Sequence, residues 1–219
     1  MTETERNPKK QTRIRKRADA IKPFRCKHTI AVLERPQDIL NLGTVIRNVD
    51  ALGIEKVYVV DPHNKLPDDW EDLRSRRSVF KTSASAVQWI FVKRFDSTEA
   101  CFAHLKKRGY RSVVTSPHQK SKKSLYLDEV DFTQFSKLAI WFGTEGSGIS
   151  EEAVAKSELC VAIPMFGMIE SLNLGTSSGI VLYEVSKQRR NYQSRFRRKN
   201  HQGRRTTPLA TVMPLEEGR

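Results

Sequence analysis

Five residues of this 219-residue chain have the types and settings that chemistry needs: Asn41, Arg47, Glu145, Ser171 and Asn173. Glu145 sits inside the run GTEGSG, residues 143–148. Gly143, Gly146 and Gly148 there either close a turn between a strand and a helix or let the backbone approach a ligand closely. Taken alone, the turn is the simpler reading. A carboxylate among those glycines can accept backbone hydrogen bonds and fix the loop. Ser171 and Asn173 stand just before a helical pattern, where short polar side chains satisfy free backbone N–H groups, and Asn41 has the same reading as an N-cap. Arg47 falls within a helix, where its structural role is an i,i+3 pair with Asp50, worth about 0.2–0.5 kcal/mol. A guanidinium, with a pKa above ~12, does not serve as a plain proton acceptor. It can stabilise a developing oxyanion or hold a neighbouring phosphate.

The elements that carry these residues follow from apolar patterning. Residues 28–33, 56–60, 91–95, 111–115, 138–142 and 159–163 read as strands, and 43–52, 98–108, 150–157 and a last segment that starts near 174 and runs on into SKQRRNYQSRFRRKN (186–200) as helices. Residues 34–40 and 63–77 read as loops. Strands alternating with helices predict an α/β fold with a parallel sheet covered by helices on both faces. In the stretch 164–173, Pro164, Met165, Phe166, Gly167 and Met168 are apolar yet unsuited to one regular element, so packing against other loops is expected to hold them. Neither a G-x-G-x-x-G after the first strand nor a P-loop lysine is present, which argues against dinucleotide and nucleoside triphosphate binding.

Three stretches share a strand, loop and helix layout, and together they resemble the TrmH-like branch of the SPOUT RNA methyltransferases. The first holds Asn41 and Arg47; the second Phe142, Gly143, Glu145 and Gly148; the third Ile163, Pro164, Met165, Gly167, Ser171, Leu172 and Asn173. The resemblance spans residues 29–190. It implies a deep C-terminal trefoil knot, which sequence pattern alone would not suggest because knots are very rare. It implies S-adenosylmethionine bound in a bent shape at the C-terminal ends of the strands, with Thr115, Gly143, Ile163 and Leu172 as contacts and Met165 and Gly167 shaping the pocket. Arg47 would activate a ribose 2′-hydroxyl, with Asn41 and Glu145 organising the site and Ser171 and Asn173 orienting ribose or phosphate. The small residues Gly175, Thr176, Ser177, Ser178 and Gly179 suit tight packing on the sheet, and the family adds a homodimer interface.

Charge is distributed unevenly. Residues 1–27 carry net +7, residues 186–219 net +8 and the intervening body net −1. Two basic ends on a nearly neutral body attract a polyanion by releasing its condensed counterions, or stand as solvated tails. The expected organisation is a basic extension (1–27), a methyltransferase domain (28–190) and a basic tail (191–219). Nine Lys/Arg between 186 and 205, among them Arg189, are expected to hold RNA phosphates together with RIRKR (13–17). Tyr192 and Phe196, four apart, could stack on bases or pack on the body. Three widely spaced cysteines without a C-x-x-C predict reduced thiols, a cytoplasmic setting and no zinc; the scattered histidines predict no metal site. No apolar run approaches the ~20 residues that span a bilayer. The expected partner is RNA: transfer RNA first, with a D-loop guanosine as the leading target, then ribosomal RNA. A non-catalytic RNA-binding protein of the same fold is the alternative from another class.

Overall fold

A computed structural model describes residues 13–63, 70–118 and 124–200. Within them, seven strands form one parallel sheet in the order β3-β2-β1-β6-β4-β7-β5. They are β1 (Cys26–Glu34), β2 (Ile54–Val60), β3 (Phe91–Phe95), β4 (Arg111–Thr115), β5 (Ser124–Tyr126), β6 (Leu138–Phe142) and β7 (Leu159–Ala162). The helices are α1 (Arg13–Ile21), α2 (Ile39–Ala51), α3 (Trp70–Ser75), α4 (Arg77–Thr82), α5 (Thr98–Lys107), α6 (Glu151–Lys156) and α7 (Leu174–Asn200).

The central strands are apolar at nearly every position because both faces are covered. Ala31, Leu33, Ile140 and Phe142 pack under α2, α4 and α7. Their neighbours in sequence, Ile30, Val32, Ala139 and Trp141, point the other way, toward α5 and α6. Two cores, one per face, follow from this alternation. Trp141 stacks on Phe102 at 4.2 Å between ring centroids. The three cysteines are free and buried, and burial pushes the Cys101 thiol well above its ordinary value.

Several expectations require correction. Residues 63–77 are not all loop: α3 occupies Trp70–Ser75, and 64–69 lie outside the described residues. Glu34 does not begin a loop but ends β1, fully buried. Helix α2 starts at Ile39, capped by Asp38, whose carboxylate accepts from the Leu40 N–H at 2.7 Å. Asn41 is therefore not the N-cap but a first-turn residue. Asp50 is engaged by Arg25 at 2.8 Å rather than by Arg47. Arg25 also approaches Glu55 at 3.7 Å, which ties the N-terminal extension to the body.

Helix α7 crosses α2 at close range. A Cβ at Gly175 would lie 2.6 Å from Thr44 Cγ2, so only glycine admits this approach. Asn48 Nδ2 donates to the Gly175 carbonyl at 2.7 Å and to Ser178 Oγ at 3.0 Å. Further along α7, Arg189 is buried and donates to the carbonyls of Phe132, Phe135 and Ser136 at 3.2, 2.5 and 2.9 Å. It is a brace within the body and is not available to phosphate. The backbone of α7 runs unbroken past residue 190. The side chains of Tyr192 and Phe196, and residues 201–219, lie outside the description.

Candidate active site

The C-terminal ends of β4, β6 and β7 lie side by side, and the segments leaving them enclose a cleft of about 350 Å³. Crevices at this end of a parallel sheet are where small ligands sit. Thr115, Gly143, Ile163, Met165 and Leu172 all line it, together with Glu145 and Ser171. Phe142, Ile149, Val161 and Val181 supply more apolar wall, and Thr144, Ser177 and His118 supply polar edges. Gly167 is not part of the lining.

Each wall has a local cause. Residues 144–148 form a tight loop closed by reciprocal backbone bonds, Thr144 N–H to the Gly148 carbonyl at 3.2 Å and Gly148 N–H to the Thr144 carbonyl at 3.0 Å. Gly148 takes φ of +66°, which glycine adopts without strain. A Cβ on Gly143 would meet the Gly148 and Ile149 backbone at 2.2 Å. The glycine at 143 is thus demanded first by the loop's own backbone, not by the approach of a ligand. Ser150 caps α6, accepting from Ala153 N–H at 3.1 Å. Thr115 Oγ1 is spent on the Trp141 carbonyl at 2.9 Å, which ties β4 to β6 beneath the cleft.

The third segment departs from expectation. Met165 lines the cleft, but Phe166 and Met168 are 97% and 100% exposed and Ile169 also stands out in solvent. Among the described residues, no packing holds them. Asn173 is the residue that caps α7, accepting from Gly175 N–H at 2.8 Å. Ser171 faces the cleft instead.

The three segments meet through side chains. Asn41 Nδ2 donates to Glu145 Oε1 at 2.5 Å, and Asn173 Nδ2 donates to Asn41 Oδ1 at 3.3 Å. Asn41 therefore bridges Glu145, on the glycine loop, and Asn173, at the head of α7. Glu145 binds a side chain here rather than the loop backbone. Arg47 stands about two turns along α2, exposed, with no ion-pair partner among the described residues. It does not line the cleft.

Sequence reasoning missed Glu34. Its Oε1 accepts from Thr98 Oγ1 at 2.5 Å and Ser150 Oγ at 2.6 Å, and its Oε2 accepts from Ser150 N–H at 2.8 Å. A fully buried carboxylate thus pins the glycine loop's exit and the starts of α5 and α6 to β1. The only available signal was an acid ending an otherwise apolar strand. Among the described residues no group of three or more His, Cys, Asp or Glu could hold a metal ion, and no helix is long and apolar enough to cross a membrane.

Comparison with known proteins places this geometry. A family model described as the SpoU rRNA Methylase family matches residues 28–183. The tRNA (guanosine(18)-2′-O)-methyltransferase of Thermus thermophilus is 28% identical over 175 residues, covering 80% of this chain and 82% of that one. The protein of the same name from Escherichia coli is 31% identical over 151 residues, 69% of this chain and 59% of its own. Among solved structures, the Aquifex aeolicus TrmH/SpoU tRNA modifying enzyme superposes with a TM-score of 0.66 at 26% identity, covering 81% of this chain and 85% of that one. An AdoMet-bound rRNA methyltransferase from Sinorhizobium meliloti gives 0.61 at 25% identity, covering 72% and 55%.

Proposed function

The chain belongs to the SpoU rRNA methylase family, and on that premise we propose that it is an RNA 2′-O-ribose methyltransferase acting on transfer RNA with S-adenosylmethionine. The observation that carries this reading is the junction of the three segments: a cleft lined by Glu145, Ser171 and Leu172, with Glu145, Asn41 and Asn173 joined beside it and an exposed arginine, Arg47, on the same helix as Asn41. The cleft fits a nucleoside-sized donor. Its wall mixes apolar side chains suited to an adenine, such as Phe142, Ile149, Val161 and Ile163, with polar ones, and Thr144 Oγ1 is buried there without a hydrogen-bond partner. Thr115, Gly143, Ile163, Met165 and Leu172 would hold the cofactor.

When bound, S-adenosylmethionine supplies a methyl group on a sulfonium, already a reactive electrophile. The chain's work is then positioning. Transfer of that methyl group to a ribose oxygen would require the hydroxyl proton to leave. Arg47 offers a fixed positive charge to the developing alkoxide, or holds the adjacent phosphate so that it takes the proton. Ser171 and Asn173 orient ribose or phosphate, and Asn41 and Glu145 keep the segments in register.

Guanosine in the D-loop is the leading target, supported by the names of the relatives at 28–31% identity. The trefoil knot is proposed on similar support. β7 lies between β4 and β5, which are consecutive in the chain, and this interleaved strand order is what supports threading of the C-terminal segment. A homodimer accounts for the apolar residues left in water, Ile180 and Tyr183 on α7 and Phe166 and Met168 on the loop. The basic ends, less Arg189, are proposed to grip RNA phosphates, and the three free cysteines suit a reducing cytoplasm. Nucleoside mapping of RNA from cells lacking the protein tests the reading. Loss of one 2′-O-methyl mark in transfer RNA is expected. A missing mark in ribosomal RNA would move the substrate, and an unchanged profile would favour a non-catalytic RNA-binding role.

A further inference from the structure

The near-neutral charge of the body conceals a strong local excess. Residues 74–94 hold six Lys/Arg and no acid, so the rest of the segment 28–185 carries thirteen cations against twenty acids. Three of these six, Arg76, Arg77 and Lys81, belong to α4 and its N-cap. Helix α2 packs against α4 on one flank and α7 on the other. The contact with α4 runs through Gly43, where a Cβ would overlap Thr82 Oγ1. Asn41, Thr44 and Asn48 face α7.

Arg47 is four residues beyond Gly43, and residues four apart share a helix face. The free arginine therefore leans to the α4 side of α2's outer surface, away from the stripe that meets α7. On α4 and its N-cap, Arg76, Arg77 and Lys81 are exposed and have no ion-pair partner among the described residues. Phe80 lies among them, 41% exposed. The nearest acids on α3 are Glu71 and Asp72, and Glu71 is already engaged by Arg74 at 2.9 Å.

We propose that the outer face of α4, continuous with Arg47 on α2, is a docking surface for the sugar-phosphate backbone of the substrate RNA, with Phe80 as a stacking platform for an unpaired base. The proposal rests on the chain acting on RNA and adds to the body a binding function that the basic ends alone were expected to carry. Three unpaired cations beside an exposed ring match a polyanion bearing aromatic bases. Arg47 at the border of the surface connects it to the chemistry, so that RNA held on α4 presents its ribose toward α2.

The test uses full-length protein and a transfer RNA transcript. One variant carries Arg76→Gln, Arg77→Gln and Lys81→Gln. A control removes the same charge from the opposite face of the sheet with Lys106→Gln, Lys107→Gln and Arg108→Gln on and just after α5. Binding is measured against salt, S-adenosylmethionine affinity by calorimetry, and methyl transfer at steady state. The α4 variant is expected to flatten log affinity against log salt by about two units, at roughly 0.7–0.9 per lost phosphate contact. Its KM for RNA should rise about tenfold with kcat and cofactor affinity within about twofold. Phe80→Ser should weaken RNA binding at least about fivefold without changing the slope. The control should match wild type. An α4 variant with the wild-type slope and KM overturns the proposal, as does an equal loss in the α5 control. If the wild type binds RNA but transfers no methyl group, the enzymatic reading falls, while the slope comparison still decides the docking surface.

Discussion

Replacing Glu34 probes how the glycine loop is held. Glu34→Ala removes a buried carboxylate that accepts three hydrogen bonds, at 2.5, 2.6 and 2.8 Å, from Thr98 and Ser150. Bonds to a charged acceptor contribute about 1.5–3 kcal/mol each, so the gross loss is about 4–9 kcal/mol. Removing the charge also removes the cost of keeping it out of water, which offsets part of this. Among the described residues the carboxylate's ion-pair partner is Arg35 at 3.9 Å, which is partly exposed and is not stranded. The net expectation is a loss of about 3 kcal/mol, a large share of the 5–15 kcal/mol typical of a domain. Glu34→Gln keeps the shape. Its amide can donate to the Thr98 and Ser150 hydroxyls, which rotate to accept, while its oxygen accepts from Ser150 N–H, so the cost should be about 1 kcal/mol. Denaturant unfolding reads both. Ser150 closes the loop whose residues 143–149 line the cleft, so calorimetry should show S-adenosylmethionine affinity falling about tenfold, 1.4 kcal/mol, in the alanine variant. A Glu34→Ala protein within about 1 kcal/mol of wild type, with full cofactor affinity, would refute the idea that this carboxylate anchors the loop.

Arg189→Gln should destabilise by about 2–4 kcal/mol, because the buried Phe132 carbonyl and the partly buried carbonyls of Phe135 and Ser136 lose their donor, yet leave the salt dependence of RNA binding unchanged; a flattened slope at wild-type stability would return Arg189 to the RNA-binding set. Gly143→Ala should unfold the loop or the chain, since its Cβ meets backbone at 2.2 Å, whereas Gly146→Ala, with open space around the new Cβ, should fold normally; circular dichroism and melting of the pair check this. Leu172→Asp puts a charge into the apolar wall and should abolish measurable cofactor binding without unfolding the half-buried loop; retained affinity would move the pocket elsewhere.

How much of this was legible in sequence depended on whether the determining contacts were local. The central strands were, because a parallel strand covered on both faces is an apolar run, as in LAIWF of β6. The Asn173 cap was also legible, since capping acts over two or three residues. Strand β5 was not: it has three residues at the sheet edge, with Leu125 and Tyr126 exposed. Helices α3 and α4 are six residues each and largely polar on the outside, too short for a periodic pattern to emerge. Arg189 lay in a basic run and looked solvated; its partners are more than fifty residues away in sequence. Glu34 was hidden for the same reason, its partners being 64 and 116 residues off. The meeting of Asn41, Glu145 and Asn173 was implied by a resemblance of motifs, while the hydrogen bonds that join them came only with the fold.

The most direct measurement is single-turnover methyl transfer. Purified full-length protein is mixed with isotopically labelled S-adenosylmethionine and a transfer RNA transcript, and the digested nucleosides are identified by mass spectrometry. Wild type is expected to place the label on a ribose 2′-oxygen. Arg47→Ala should bind the cofactor within a few-fold of wild type but lose transfer by well over ~10-fold, more than about 1.4 kcal/mol of barrier. Label on a base, no label with the wild type, or an Arg47→Ala rate within ~10-fold of it would contradict the account.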